Sequence, residues 1–216
     1  ISSCSDITIN DLNMSYVVGY TPRKSIGIEK SERIHLTNIV GTDLLWIKDQ
    51  SKNVYITNVV IKRIDIRCSN DIHIINSSDK TEIYVDGSQK IFFFDLENAS
   101  LEIVDSLYVV INAKEIYYLY LVNTNETTIK DCENVHGAFE SGRLNGLFIV
   151  NSNIYGKSLS ACFVVDSKNI HVINSFLQTM KFEDCVYVTV ESTTLSNVRF
   201  LNVESLIISS SSLSTI

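Results

Sequence analysis

Proline and alanine are nearly missing from this chain, and their scarcity argues against helices. Pro22 is the only proline, and there are four alanines among 216 residues. Alanine is the strongest helix former, so a helical protein of this length would carry far more of it. The residues in surplus are Ile, Val and Tyr, which fit pleated strands, together with Asn and Ser. The composition therefore predicts an all-β protein.

Positive charge and long apolar runs are also in short supply. The formal net charge is −7 and Lys and Arg form no cluster, so we expect no nucleic-acid partner. No apolar run approaches the roughly 18 residues that a membrane span needs, so no membrane span is predicted. The sequence has neither a GxSxG motif nor a phosphate-binding loop. We expect no cofactor.

The five cysteines stand at irregular spacing and form no CxxC pair. This spacing counts against zinc and thioredoxin-like chemistry. We interpret the cysteines as small buried hydrophobic residues. The alternative is one disulfide between neighbouring repeats. Cys162 and Cys185 each follow an asparagine by eleven residues, Asn151 and Asn174, so they are predicted to stack on adjacent coils, close enough for a bond.

A short motif recurs along the chain: two apolar residues at alternating positions, followed two residues later by Asn, Asp or Ser. Successive polar members are 17 to 23 residues apart, and among the leading positions only Thr127 is polar. Alternation with period 2 is typical of strands, and a return after so few residues leaves no room for a crossover helix. The motifs are Ile34-Leu36-Asn38, Val54-Ile56-Asn58, Ile72-Ile74-Asn76, Ile91-Phe93-Asp95, Tyr108-Val110-Asn112, Thr127-Ile129-Asp131, Leu147-Ile149-Asn151, Ile170-Val172-Asn174, Val188-Val190-Ser192 and Leu206-Ile208-Ser210.

A second apolar column supports the same period. A large apolar or aromatic residue stands eight positions after each of nine polar members. Identical strands that return at one period run parallel, each paired with the repeat before it. The sequence therefore predicts a parallel β-solenoid of about ten coils, a rod of roughly 50 Å at about 4.8 Å per coil. The column consists of Trp46, Ile66, Tyr84, Ile103, Tyr120, Phe139, Leu159, Phe182 and Phe200.

The polar residue of each motif is predicted to form a structural ladder. It falls at an inward position of the alternation, where a buried polar group needs hydrogen-bond partners. Stacked side chains would supply them and fix the register of every coil. The alternative is that these are ordinary turn residues, which Asn, Asp and Ser favour in any case. The ladder residues are Asn38, Asn58, Asn76, Asp95, Asn112, Asp131, Asn151, Asn174, Ser192 and Ser210.

Two stretches carry a family resemblance. Asn53-Val54-Tyr55-Ile56-Thr57-Asn58 and Asn169-Ile170-His171-Val172-Ile173-Asn174-Ser175 resemble the parallel β-helix repeat of the pectate-lyase-like superfamily. The resemblance covers residues 32–216 and implies a right-handed β-helix. The rhythm also resembles leucine-rich repeats and the C-terminal β-helix of cyclase-associated protein. A leucine-rich repeat needs at least about 20 residues, whereas Leu177, Leu195 and Leu213 are 18 apart, which favours the β-helix.

The repeat breaks in two places. Residues 1–31 hold only partial strand signals, and we interpret them as an irregular N-terminal coil or cap, which an exposed solenoid end requires. Residues 133–146 contain Gly137, Gly142 and Gly146, and we expect a protruding loop insertion there. The alternative for this loop is a tolerated insertion without a role.

The outward residues of the first strand in each coil are unusually apolar near the middle of the rod. A parallel strand that is hydrophobic on both sides is usually covered on both faces. We therefore predict a binding or assembly interface here, occupied by a protein partner or a second copy, with residues 1–31 as the alternative cover. The predicted interface residues are Phe92, Phe94, Val109, Ile111, Phe148 and Val150.

No catalytic or metal site is predicted. His35, His73 and His171 share one outward column, but the first two lie two coils apart, roughly 10 Å, which is too far for one ion. Glu140, Arg143 and His136 are a weaker candidate group without diagnostic spacing.

The leading functional interpretation is a non-enzymatic structural or adhesive β-helix, a rigid subunit of a virion, appendage or cell-surface assembly. One alternative is a β-helix lyase or hydrolase that acts on a polysaccharide, which would need clustered outward carboxylates. The other is an intracellular protein-binding solenoid. The apolar outward face favours the first.

Overall fold

The computed structural model describes residues 1–14, 24–77, 80–158 and 162–214, and it is a parallel β-solenoid of about ten turns with a repeat of about 19 residues. The all-β class and the solenoid predicted from the sequence are confirmed. No helix occurs in these four segments. The strands are β1 (Ser5–Asn10), β2 (Ser25–Glu29), β3 (Glu32–Lys48), β4 (Lys52–Arg67), β5 (Asn70–Ser77), β6 (Glu82–Asp86), β7 (Gln89–Leu96), β8 (Ala99–Val104), β9 (Leu107–Ala113), β10 (Glu115–Val122), β11 (Asn125–Lys130), β12 (Asn134–Gly142), β13 (Asn145–Val150), β14 (Asn153–Gly156), β15 (Cys162–Val165), β16 (Lys168–Ile173), β17 (Phe176–Glu183), β18 (Val186–Glu191), β19 (Thr194–Leu201), β20 (Glu204–Ser209) and β21 (Ser212–Ser214).

Each turn pairs in parallel with the turns on either side of it, and the interior is built from vertical columns of apolar side chains. Ile34 lies in register with Val54, and Val54 lies in register with Ile72 of the following turn. These three side chains are fully buried, because alternate residues of their strands point into the rod. The largest buried side chains, including Phe93 and Phe182, fill the centre.

The turn at residues 107–122 corrects the predicted register. Val109 and Ile111 are fully buried, so the prediction that they point outward is wrong. Val109 pairs with Ile91 and Ile111 with Phe93, while Val110 faces outward beside Phe92. The physical reason is a missing corner residue: Leu96 pairs directly with Ala113, and nothing in this turn matches Asp95. If this corner residue is counted, the predicted register is wrong by one residue. An error of one residue assigns each side chain to the opposite face of the strand.

The second apolar column needs the same correction in several turns. Trp46, Tyr84 and Tyr120 are half-buried outward residues, and their neighbours Ile47, Val85 and Leu121 enter the core. Phe139 is buried, but in the column of Leu119. The predicted position of Leu159 lies outside the described residues. Only Ile66, Ile103, Phe182 and Phe200 stand where the predicted column placed them.

The asparagine ladder exists, but on the outside of the rod. Asn38, Asn58 and Asn76 are exposed and adopt left-handed backbone conformation, with φ of 53° to 55°. Asn58 Nδ2 donates to Asn38 Oδ1 at 3.2 Å, and Asn76 Nδ2 donates to Asn58 Oδ1 at 2.7 Å. The predicted inward orientation is therefore wrong, because a left-handed corner turns the side chain away from the core. Asn112 is the exception: it is half-buried and lacks the left-handed conformation.

A different polar column faces inward at the corners. Ser51 and Ser152 are fully buried, and each hydroxyl serves two backbone groups. The hydroxyl of Ser152 accepts from the Cys132 N–H at 3.1 Å and donates to the Val150 carbonyl at 2.8 Å. The same arrangement recurs from turn to turn, so backbone groups at the corners are satisfied without water. Its members include Ser31, Ser51, Ser69, Ser88, Ser106, Ser152, Ser167, Ser175 and Thr193.

The two breaks predicted in the repeat, residues 1–31 and 133–146, both contain paired strands. In the N-terminal stretch, β1 and β2 pair in register with β3, while most of the intervening residues, 15–23, lie outside the described part. The predicted loop at 133–146 is wrong. Residues 134–142 form β12, which pairs with β10 on one side and with β14 and β15 on the other. One extra residue near Gly137 is absorbed as a bulge, since Ile116 pairs with Val135 but Tyr118 pairs with Ala138.

The cysteines form no disulfide. Cys162 pairs with Phe139 on β12, whereas Cys185 lies in the turn before β18, with its Sγ 3.3 Å from the Glu183 carbonyl oxygen. The predicted stacking of these two is wrong, because the turn that contains Cys162 carries extra residues between β14 and β15. Three of the five are buried, as predicted, while Cys4 is half-buried and Cys68 is exposed. Burial raises the pKa of the Cys132 thiol to about 11, so it stays protonated at neutral pH.

Candidate functional site

One wall of the rod, the first wall, consists of the outward side chains on the first strand of each turn. Four of these form a continuous stack of parallel rings. The centroids of His35 and Tyr55 are 5.0 Å apart, those of Tyr55 and His73 4.5 Å, and those of His73 and Phe92 4.7 Å. The stack follows from the register, which places the four residues directly beside one another on adjacent strands.

The ring stack limits what the first wall can bind. Each inner ring has both faces covered by its neighbours, so only ring edges point to solvent. A sugar ring that needs an open aromatic face cannot use Tyr55 or His73. The stack also confirms that two turns separate His35 from His73, because Tyr55 lies between them. His73 Nε2 lies 3.0 Å from Asp71 Oδ1, which orients the ring.

The predicted apolar stripe divides into two patches once the register is corrected. Phe92 and Phe94 are half-buried and lie beside Ile75 and Val110. Further along the rod, Phe148 is 37% exposed and stacks on His171 with centroids 5.0 Å apart. Val150 lies beside Ile173 on the neighbouring strand. Between the patches the outward residues are polar: Asn112, Thr128 and Lys130.

The candidate group near Gly142 is not assembled. His136 Nε2 lies 2.6 Å from Glu115 Oε1, on the neighbouring turn. Glu140 faces outward on β12, and Arg143 occupies an exposed left-handed corner. Across the described segments, no three His, Cys, Asp or Glu side chains come together in a way that could hold a metal ion.

The outward side chains on the second strand of each turn form another wall of the rod, the second wall, which holds a cleft that sequence reasoning missed. The volume of the cleft is about 370 Å³, and its lining residues come from four successive turns, on β4, β6, β8 and β10. Glu82, Ser100 and Tyr118 are register partners on β6, β8 and β10, and the small side chain of Ser100 leaves a gap between the other two. The closely spaced tyrosines of residues 117–120 were the available signal. The residues that line the cleft are Arg63, Glu82, Ile83, Tyr84, Ser100, Leu101, Glu102, Tyr117 and Tyr118.

Tyr84 and Tyr118 of the cleft remain protonated at neutral pH. Burial is the main cause that raises the pKa of Tyr84, with Asp86 adding to it. Burial also raises the pKa of Tyr118, with Glu140 and Glu102 adding to it. These hydroxyls are therefore neutral hydrogen-bond groups, and the rings are uncharged apolar surfaces beside carboxylates.

Comparison of the chain with protein-family models, with curated proteins and with solved structures finds no match. The fold and the two walls therefore carry the functional argument. Over the residues whose structure is described, no helix is both long enough and apolar enough to cross a membrane.

Proposed function

We propose that this chain is a non-enzymatic structural or adhesive β-solenoid, a rigid subunit of a virion, appendage or cell-surface assembly that associates through its first wall. The observation that carries the proposal is the pair of apolar patches on a regular, ladder-stabilised wall. Phe92 and Phe94 form one patch with their neighbours, and Phe148 and Val150 form the other. The partner that fits is a second copy of this chain.

The spacing of the patches supports an extended contact. Phe92 and Phe148 are separated by three turns, because the register runs through Val110 and Thr128. At about 4.8 Å per turn this is roughly 14 Å along the rod. A partner with the same repeat presents matching patches at the same interval, as a self-complementary interface requires.

The charged groups of the first wall favour assembly over polysaccharide cleavage. Lys130 and Glu191 are three turns apart, roughly 14 Å, since Val150 and Ile173 lie between them in register. Acid and base groups that act on one glycosidic bond must lie closer than that. The ring stack also argues against a polysaccharide substrate, because its inner rings offer no open face to a sugar.

We further propose that the solenoid is right-handed and related to the pectate-lyase-like superfamily, as the repeat pattern implies. Parallel connections within one sheet are right-handed in the great majority of proteins. An experimental density map that traced a left-handed coil would contradict this.

The test is the mass of the chain in solution. We expect the wild type to self-associate, and Phe92→Asp combined with Phe148→Asp to dissociate it, since both changes place charge in the contact without touching the core. Sedimentation velocity measures the mass, and circular dichroism checks that the solenoid persists.

The matched control is Tyr187→Asp with Leu201→Asp, which makes the same charge change at exposed residues outside both patches. We expect it to leave the association intact. A wild type that stays monomeric at high concentration would contradict association through the first wall.

A further inference from the structure

The cleft on the second wall is lined by more carboxylates than cations. Glu82 and Glu102 are exposed, and neither enters an ion pair within the described segments. Arg67, on the same wall, is paired with Asp65 at 2.8 Å. Arg63 is the single cation among the lining residues. The cleft lining therefore contains two carboxylates and one guanidinium, which leaves a net negative charge.

Two tyrosine rings of the cleft contact cationic side chains of the same chain. Lys157 Nζ lies 4.8 Å from the centroid of the Tyr117 ring and 3.3 Å from its hydroxyl. The guanidinium carbon of Arg67 lies 5.2 Å from the centroid of Tyr84. Tyrosine rings attract cations through their negative faces, most strongly where carboxylates stand nearby. The lining therefore suits a group that is apolar along its length and positive at its end.

We propose that this cleft binds a lysine or arginine side chain of a protein partner. The alkyl stem packs between Tyr84 and Tyr118, over the small side chain of Ser100, and the charged head reaches Glu82 and Glu102. Long basic side chains bury such stems readily while the head keeps polar partners. A neutral saccharide would use the same rings and could donate hydroxyl hydrogen bonds to the carboxylates, but it would leave their negative charge uncompensated.

This site is independent of the first-wall association. It lies on different strands from the first wall, and the residues that line it are absent from both apolar patches. Failure of one proposal leaves the other standing, because the measurements differ: mass in solution for the first wall, ligand titration for the cleft.

The experiment is a titration followed by NMR of the tyrosine rings in the full chain. The probe is the end-blocked pentapeptide Gly-Gly-Lys-Gly-Gly, and its neutral counterpart carries norleucine at the centre. We expect saturable shifts of Tyr84 and Tyr118 with the lysine peptide only, weakening as salt is raised. The double variant Glu82→Gln with Glu102→Gln should lower the affinity about fivefold or more.

The matched control is Glu191→Gln with Glu204→Gln, which makes the same change in net charge at exposed residues on the first wall. It should leave the affinity unchanged. An equal loss in the control would show attraction to the whole acidic protein and would overturn the proposal. Equal shifts with the norleucine peptide would also overturn it. So would binding of cellohexaose without binding of the lysine peptide, which would mark the cleft as a saccharide site.

Discussion

At the scale of single residues, the corners decide the shape of each turn. Asn38, Asn58 and Asn76 adopt a left-handed backbone conformation, which costs most residues about 1–2 kcal/mol but which asparagine tolerates. Their hydrogen bonds to one another are exposed, where a bond contributes less than in the core. We therefore attribute the recurrence of asparagine to its backbone conformation more than to its side-chain ladder.

Substitutions at Asn58 separate the two contributions. Asn58→Ala should lower the free energy of unfolding by about 1–2 kcal/mol, because alanine adopts the left-handed conformation poorly. Asn58→Gly should cost about half as much, since glycine accepts the conformation although it loses both side-chain bonds. Urea denaturation measures each difference.

The chain supplies a control for this comparison in Asn112, which follows the same motif but lacks the left-handed conformation. Asn112→Ala should change stability by about 0.5 kcal/mol or less. If glycine at position 58 proved as costly as alanine, the side-chain bonds rather than the backbone would be the stabilising feature.

At the scale of strands, the period could be predicted from the sequence but the local register could not. In the turn of Ile34 and Leu36, the polar residues His35 and Thr37 alternate with the apolar ones and identify the inward face. In the turn at residues 107–122, Tyr108, Val109, Val110 and Ile111 are all apolar, so alternation no longer shows which pair points inward. Because the corner of this turn is one residue shorter, the predicted register placed Val109 and Ile111 on the outward face, although both point inward.

The buried hydroxyl column would have resolved that ambiguity. Ser88 stands three residues before the inward Ile91, and Ser106 stands three residues before the inward Val109. The spacing is constant because the strand between the corner and the core position does not vary in length. The cleft on the second wall was harder to predict, because it depends on side chains from four turns whose relative register the sequence leaves open.

Gly27 and Trp46 show how two strands fit together in the first turns. They are register partners on β2 and β3, and a Cβ at position 27 would lie 2.0 Å from Cζ2 of the indole. Gly27→Ala should therefore push the ring off the backbone toward water and shift its emission to the red. Trp46 is the only tryptophan, so its fluorescence reports on this contact alone.

Ser25→Ala, on the same strand, is the control for this shift, because Ser25 pairs with Leu44 and not with the indole. It should leave the emission unchanged. An unshifted spectrum in Gly27→Ala would mean that the ring does not rest on β2.

At the scale of the whole molecule, stability comes from the contacts between neighbouring turns along the rod. Within the described segments, strand pairing joins each turn only to the turns beside it, as in other repeat proteins. A turn in the middle is supported on two sides: β9, for example, pairs with both β7 and β11. In contrast, among the described residues β20 pairs with β18 alone, and its residues are exposed along its length.

This one-sided support predicts a gradient of amide hydrogen exchange in the 216-residue chain. Amides of β9 and β11 should exchange slowest, because opening them requires the loss of two packed interfaces. Amides of β20 should exchange fastest, with β18 intermediate, since that strand retains β16 on its inner side. Mass spectrometry of peptides from each turn measures the gradient. Equal protection in all turns would show that the solenoid opens as one cooperative unit, and nearest-neighbour coupling would then be the wrong description of its stability.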